Sequence, residues 1–127
     1  MSVFQTSAPG KLFLSGEYAV LEGAVAVVTT VDVRACAIIG DVSAHVSPVL
    51  RAVADMVSGE IFTDRPPDVA VNSDAFSASR RKLGLGSSAA VCAAACGILF
   101  EHAGLPIDDN RDRILELASR AHFAAQG

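Results

Sequence analysis

The run Lys82-Leu83-Gly84-Leu85-Gly86-Ser87-Ser88 opens straight into a stretch of small residues from Ala89 to Gly97, and nothing else in the sequence limits the fold as much. Gly84 and Gly86 permit positive φ and let a ligand approach bare backbone. The helix behind them begins with amides that have no partner inside it, and its positive dipole end points into the loop. An anion is the natural occupant of such a place. Ser87 and Ser88 add hydroxyls suited to phosphate oxygens or to magnesium, and Arg80, Arg81 and Lys82 bring positive charge to the same entrance. Lys82 to Ala90 therefore read as a polyphosphate cradle. A plainer reading is a glycine turn closed by Ser87 as helix cap, with the basic run as a solvated edge. The pattern is neither G-x-x-x-x-G-K-[ST] nor G-x-G-x-x-G, which sets aside the Walker loop and the dinucleotide fold.

With 127 residues, 51% of them hydrophobic and 19% charged, the chain has the composition of one folded domain with a real core. A net charge of -4 argues against nucleic acid as a partner, since binding a phosphate backbone takes a clustered basic face. Cys36, Cys92 and Cys96 are odd in number and lack metal-ligand spacing, so no disulfide framework or zinc site is expected. Cys92 and Cys96 lie one helical turn apart among alanines, where small buried thiols belong. No apolar stretch is long enough to span a bilayer and no basic-then-apolar signal opens the chain, so a cytoplasmic protein without a membrane partner is expected.

Short β-rich segments come first: Lys11 to Leu14, Ala24 to Val31 and Val33 to Ile39. Ala24 to Val28 is nearly continuous in apolar character, as in a strand covered on both faces. Ser47-Pro48 then starts a helix with Val49, Leu50, Val53, Met56 and Val57 on one face and Gly59 as its stop. Asp68 to Val71 follows as a short strand. The small-residue helix runs to about His102, ahead of Gly104 and Pro106, and Asp108, Asp109 or Asn110 caps a last helix with a face of Ile114, Leu115, Ala118 and Ala121. Strands first and helices afterwards predict an α+β fold, with helices on one face of a mainly antiparallel sheet.

A second constellation is Ala8-Pro9-Gly10-Lys11 with Gly16-Glu17-Tyr18, where Lys11 and Glu17 end a short β-rich segment and present a charged pair to a pocket. Lys11 there could hold a phosphate or lower the pKa of a substrate group; otherwise it is an edge-strand lysine. Ala8 to Tyr18 resembles the first motif of the GHMP kinases, A-P-G-K followed by G-E, and Gly84 to Ala90 resembles their second, G-L-G-S-S-A-A. Within that superfamily Gly16 to Leu21 and Lys82 to Ser88 look most like the phosphomevalonate kinases, as does Ala121 to Gly127, similar to their A-H-x-x-A-Q-G segment. Mevalonate kinases more often carry G-E-H in the first motif and a proline before the second.

The resemblance implies the GHMP kinase N-terminal domain, related to the second domain of ribosomal protein S5, over residues 1–127. It implies ATP and Mg2+ as cofactors and a small-molecule substrate, phosphomevalonate or a related alcohol or phosphate, phosphorylated in the mevalonate pathway. Lys82, Leu83, Gly84, Leu85, Gly86, Ser87, Ser88, Ala89 and Ala90 would hold the nucleotide, Ser88 would contact the metal, Lys11 and Lys82 would act in transfer, and Lys11, Glu17 and Tyr18 would face the acceptor. In mevalonate kinases a magnesium-binding glutamate comes near the position of His122. The family's catalytic aspartate follows A-Q-G in a G-S-G-x-D context, beyond Gly127, so the domain is expected to be truncated and the polypeptide poorly active alone. The alternatives are a mevalonate or other GHMP kinase, a non-catalytic nucleotide- or sugar-sensing module, and an RNA-binding protein, the last opposed by the acidic charge.

Overall fold

Strands β1 (Thr6–Ser15) and β2 (Val27–Ile39) pair antiparallel as a long hairpin, with Thr6 opposite Ala37 and Lys11 opposite Thr30. Strand β3 (Val69–Asn72) adds antiparallel to the free edge of β2, and the sheet order is β1-β2-β3. The computed structural model describes residues 5–16, 18–40, 47–78 and 81–126. Two further two-residue strands, β4 (Ser77–Ala78) and β5 (Arg81–Lys82), make a separate antiparallel pair just before the glycine-serine run.

Helix α2 (Ser87–His102) lies across the sheet, and helices α1 (Pro48–Val57) and α3 (Arg111–Gln126) pack on it and on each other. The antiparallel sheet with a helix laid on it is the α+β arrangement expected from the element order. Because α2 is covered by both layers, it buries residues around its whole circumference, among them Ala90, Cys92, Ala94, Ala95, Cys96, Ile98, Leu99 and Phe100. Its small residues let the layers come close. The inner face of the hairpin is small as well, with Ala8, Ala35 and Ala37 buried, and the buried Thr6 hydroxyl donates to the Ala94 carbonyl at 2.7 Å. A hydroxyl at that depth needs such a partner. Burial pushes the Cys92 thiol up to about 11, and burial together with the neighbouring Cys92 pushes Cys96 up to about 12. Both thiols are free and buried, as their setting in the sequence indicates.

Helix α1 begins as its sequence dictates. Ser47 is the cap, its Oγ accepting the Leu50 amide at 3.2 Å, Pro48 takes the first position, and Val49, Val53 and Val57 are buried. The far ends of the helices are pinned together: Phe62 stacks on His102 with ring centroids 6.3 Å apart, while Arg113 donates to the Glu60 carbonyl at 3.1 Å and covers the Phe100 ring.

Two expectations are corrected. Ala24 to Val28 is not covered on both faces: Val25, Val27 and Val28 are 86%, 48% and 47% exposed. The tip of the hairpin, a short 3-10 turn at Ala19–Glu22, buries nothing. On α3 the buried residues are Leu117, Ala118 and Ala121, and Leu115 is 67% exposed. The apolar face is rotated by part of a turn, so that Leu115 falls on its flank.

Candidate functional site

The glycine-serine run sits where α2 meets β1. The Lys11 amide donates to the Leu85 carbonyl at 2.8 Å, and the Leu83 amide donates to the Phe76 carbonyl at 2.9 Å, so two backbone bonds fix the loop between them. Gly84 and Gly86 have φ of 71° and 75°, the left-handed conformation that their lack of a β-carbon allows. Gly86 is the residue before the helix, and no side chain caps it. The first bond closing the helix runs from the Ala90 amide to the Gly86 carbonyl, so the amides of Ser87, Ser88 and Ala89 lie ahead of it. Ser87 is therefore the first helical residue and not the cap of the plainer reading.

Lys11 is drawn to the same spot. Its aliphatic stem lies along Gly86, where a β-carbon would come within 3.0 Å of the Lys11 Cγ, and its ammonium rests over the Phe13 ring at 4.6 Å. A cavity of about 360 Å³ opens here, lined by Lys11, Gly86, Ser119 and His122 over an apolar floor that includes Ala8, Ala89, Ala90 and Leu115. Ser88 Oγ and His122 Nε2 are 2.9 Å apart, joining the first turn of α2 to the C-terminal half of α3. A larger cavity of about 510 Å³ lies between α1 and the segment from Thr63 to Val69, with Ala95 and Leu99 from further along α2. It contains no residue of the glycine-serine run, and the chemistry points to the smaller one.

The fold thus brings Lys11, Leu85, Gly86 and Ser88 together. Tyr18 is apart from them, 80% exposed on the hairpin tip and absent from the cavity lining. Glu17 and Arg80 lie outside the described residues, as do the side chains of Arg81 and Lys82; the Lys82 backbone pairs with Ser77 just ahead of the loop. Sequence reasoning did not find the parts played by Gly10 and Phe76. A β-carbon on Gly10 would stand 2.6 Å from both the Leu85 carbonyl oxygen and Phe76 Cε1. Placing Gly10 directly before Lys11 was the available signal. The link between His122 and Ser88 was also out of reach, because it joins residues 34 positions apart.

As for a metal, no group of three or more His, Cys, Asp or Glu side chains among the described residues could hold one. The Ser88 hydroxyl fits one coordination position of a magnesium ion that arrives on phosphates, and that donor set fits no more than this.

The fold is thus an α+β domain in which a lysine of the hairpin lies against an uncapped helix preceded by glycine. The chain belongs to the family described as GHMP kinases N terminal domain, whose sequence model matches residues 43–127. Among solved structures it is similar to Streptococcus pneumoniae phosphomevalonate kinase in complex with phosphomevalonate and AMPPNP, with a TM-score of 0.72 and 20% identity. The match covers 94% of this chain and 42% of that one, so the chain spans less than half the length of that kinase. The likeness is one of fold. No curated protein matches the chain.

Proposed function

We propose that this chain is the nucleotide-binding N-terminal part of a longer ATP-dependent kinase that transfers the γ-phosphoryl group of ATP to phosphomevalonate, giving the diphosphate. The observation that carries the reading is the pair of left-handed glycines ahead of an uncapped helix, held against Lys11 by the bond between the Lys11 amide and the Leu85 carbonyl. Family membership supports phosphoryl transfer, and the motifs at Gly16 to Leu21 and Lys82 to Ser88 support the choice of acceptor. The greater length of the structural relative, and the large apolar residues exposed on the hairpin, support a longer parent protein.

In this reading the amides of Ser87, Ser88 and Ala89 bind the polyphosphate, and the dipole of α2 adds favourable potential. Lys11 lines the cavity and would turn its ammonium from the Phe13 ring toward the transferred group, above a floor in which Ala8 and Ala90 are buried. The acceptor oxygen bonds to the γ-phosphorus as the bond to the β-bridging oxygen breaks, and ADP leaves. The protein contributes position and charge neutralisation, the usual means in this chemistry. Ser88 would hold magnesium, which would supply charge neutralisation at the phosphates.

The test is coupled ATP turnover by the full-length protein with phosphomevalonate and mevalonate supplied side by side. Turnover with phosphomevalonate is expected. Turnover with mevalonate alone would reassign the acceptor, and absence of ATP binding would end the kinase reading.

A further inference from the structure

Helices α2 and α3 are antiparallel, with Ser88 facing His122 at one end and Cys96 facing the Ile114 carbonyl at the other. This arrangement delivers an imidazole from the C-terminal half of α3 to a hydroxyl in the first turn of α2, beside the amides that precede the first helical bond. A serine so placed ordinarily turns its hydroxyl onto nearby backbone groups. Here no side chain caps the helix, and the Ser88 Oγ lies 2.9 Å from His122 Nε2 instead. The contact contributes little to helix packing, which Ala90, Cys92, Leu117, Ala118 and Ala121 already supply as a buried apolar seam. His122 also lines the cavity that contains Lys11 and Gly86, so the pair borders the place where phosphates would lie.

We infer that His122 is a positioning residue: it holds the Ser88 hydroxyl in the one orientation that serves the magnesium-nucleotide in the loop. The inference rests on the nucleotide reading above. His122 acts through Ser88, and its loss should be felt only while the serine hydroxyl is present.

A double-mutant cycle on the full-length protein tests this, with dissociation constants for magnesium-ATP measured by calorimetry. His122→Phe keeps the ring's bulk and removes the hydrogen bond, His122→Gln keeps a polar group within reach of the hydroxyl, and Ser88→Ala removes the hydroxyl. H122F and S88A are each expected to weaken binding about five- to tenfold, the factor that one hydrogen bond of ordinary strength supports. The double variant is expected to bind as S88A does, and H122Q to recover most of the affinity, with the thermal midpoint unchanged across the set. Losses that multiply in the double variant, or an H122F protein that binds normally, would overturn the assignment of His122 alone. Failure of the unmutated protein to bind magnesium-ATP would remove the nucleotide reading and this inference with it.

Discussion

Gly10 and Leu85 meet backbone to backbone: a β-carbon on Gly10 would lie 2.6 Å from the Leu85 carbonyl oxygen, the same oxygen that accepts the Lys11 amide at 2.8 Å. The position of the loop relative to the hairpin thus depends on a residue with no side chain. Gly10→Ala must push the loop away or distort β1. The expected cost is about 1–3 kcal/mol of stability, as for other overpacked positions, read by urea denaturation. Nucleotide affinity should fall with it. An alanine variant with unchanged stability and unchanged ATP binding would show that the loop is not seated on β1 in solution.

Lys11→Met separates packing from charge. The methionine retains the stem that lies along Gly86 and loses the ammonium. Stability should change little. If the proposed activity holds, turnover by the full-length protein should fall by about a hundredfold or more, the scale seen when one group aimed at developing charge is removed. Steady-state kinetics at saturating ATP measure this, and a variant within threefold of the parent would show that Lys11 takes no part in transfer.

Ser47→Ala is the structural counterpart. The Ser47 hydroxyl caps α1 through the Leu50 amide, and its removal should cost about 1 kcal/mol. ATP affinity should be unaltered, because Ser47 is not among the residues lining the cavity beside Lys11. Chemical denaturation and a nucleotide titration on the same sample check both halves of the prediction.

The buried thiols give a pH dependence of known sign. Cys92 and Cys96 are raised from 9.0 to about 11 and about 12, so above pH 9 the unfolded chain releases protons that the folded chain retains. Stability should therefore be unaffected by these groups below pH 9, fall as pH rises past it, and reach the full loss near pH 12. At pH 8 a thiol reagent should modify the partly exposed Cys36 and leave Cys92 and Cys96 unreacted until denaturant is added. Rapid reaction of all three in the native protein would contradict the packing of α2.

Much of this architecture is legible from local chemistry. The start of α1 could be placed from Ser47-Pro48, the loop from Gly84 and Gly86, and the buried thiols from their alanine-rich setting, because each depends on neighbours in the sequence. What could not be read depends on contacts between distant segments. The valines from Val25 to Val28 look like an interior strand, but whether a helix covers them is decided by segments distant in the chain, and Val25, Val27 and Val28 are exposed. The rotation of α3 that exposes Leu115 and buries Leu117 follows from its packing against α1 and α2 together. The Ser88–His122 pair is a further case, since chain spacing does not specify which turn of one helix meets which turn of another.

The stacking of Phe62 on His102 and the hold of Arg113 on Glu60 and Phe100 act at the end of α2 opposite the glycines. The helix is thereby braced at the end away from the glycines and packed along its length against the sheet, α1 and α3. Its amide dipoles already point where the phosphates would go, so the receptor has little reorganisation to undergo on binding. Loosening the remote clamp, by Phe62→Ala for example, would be felt as weaker anion capture at a distance, without any change in the residues that make contact.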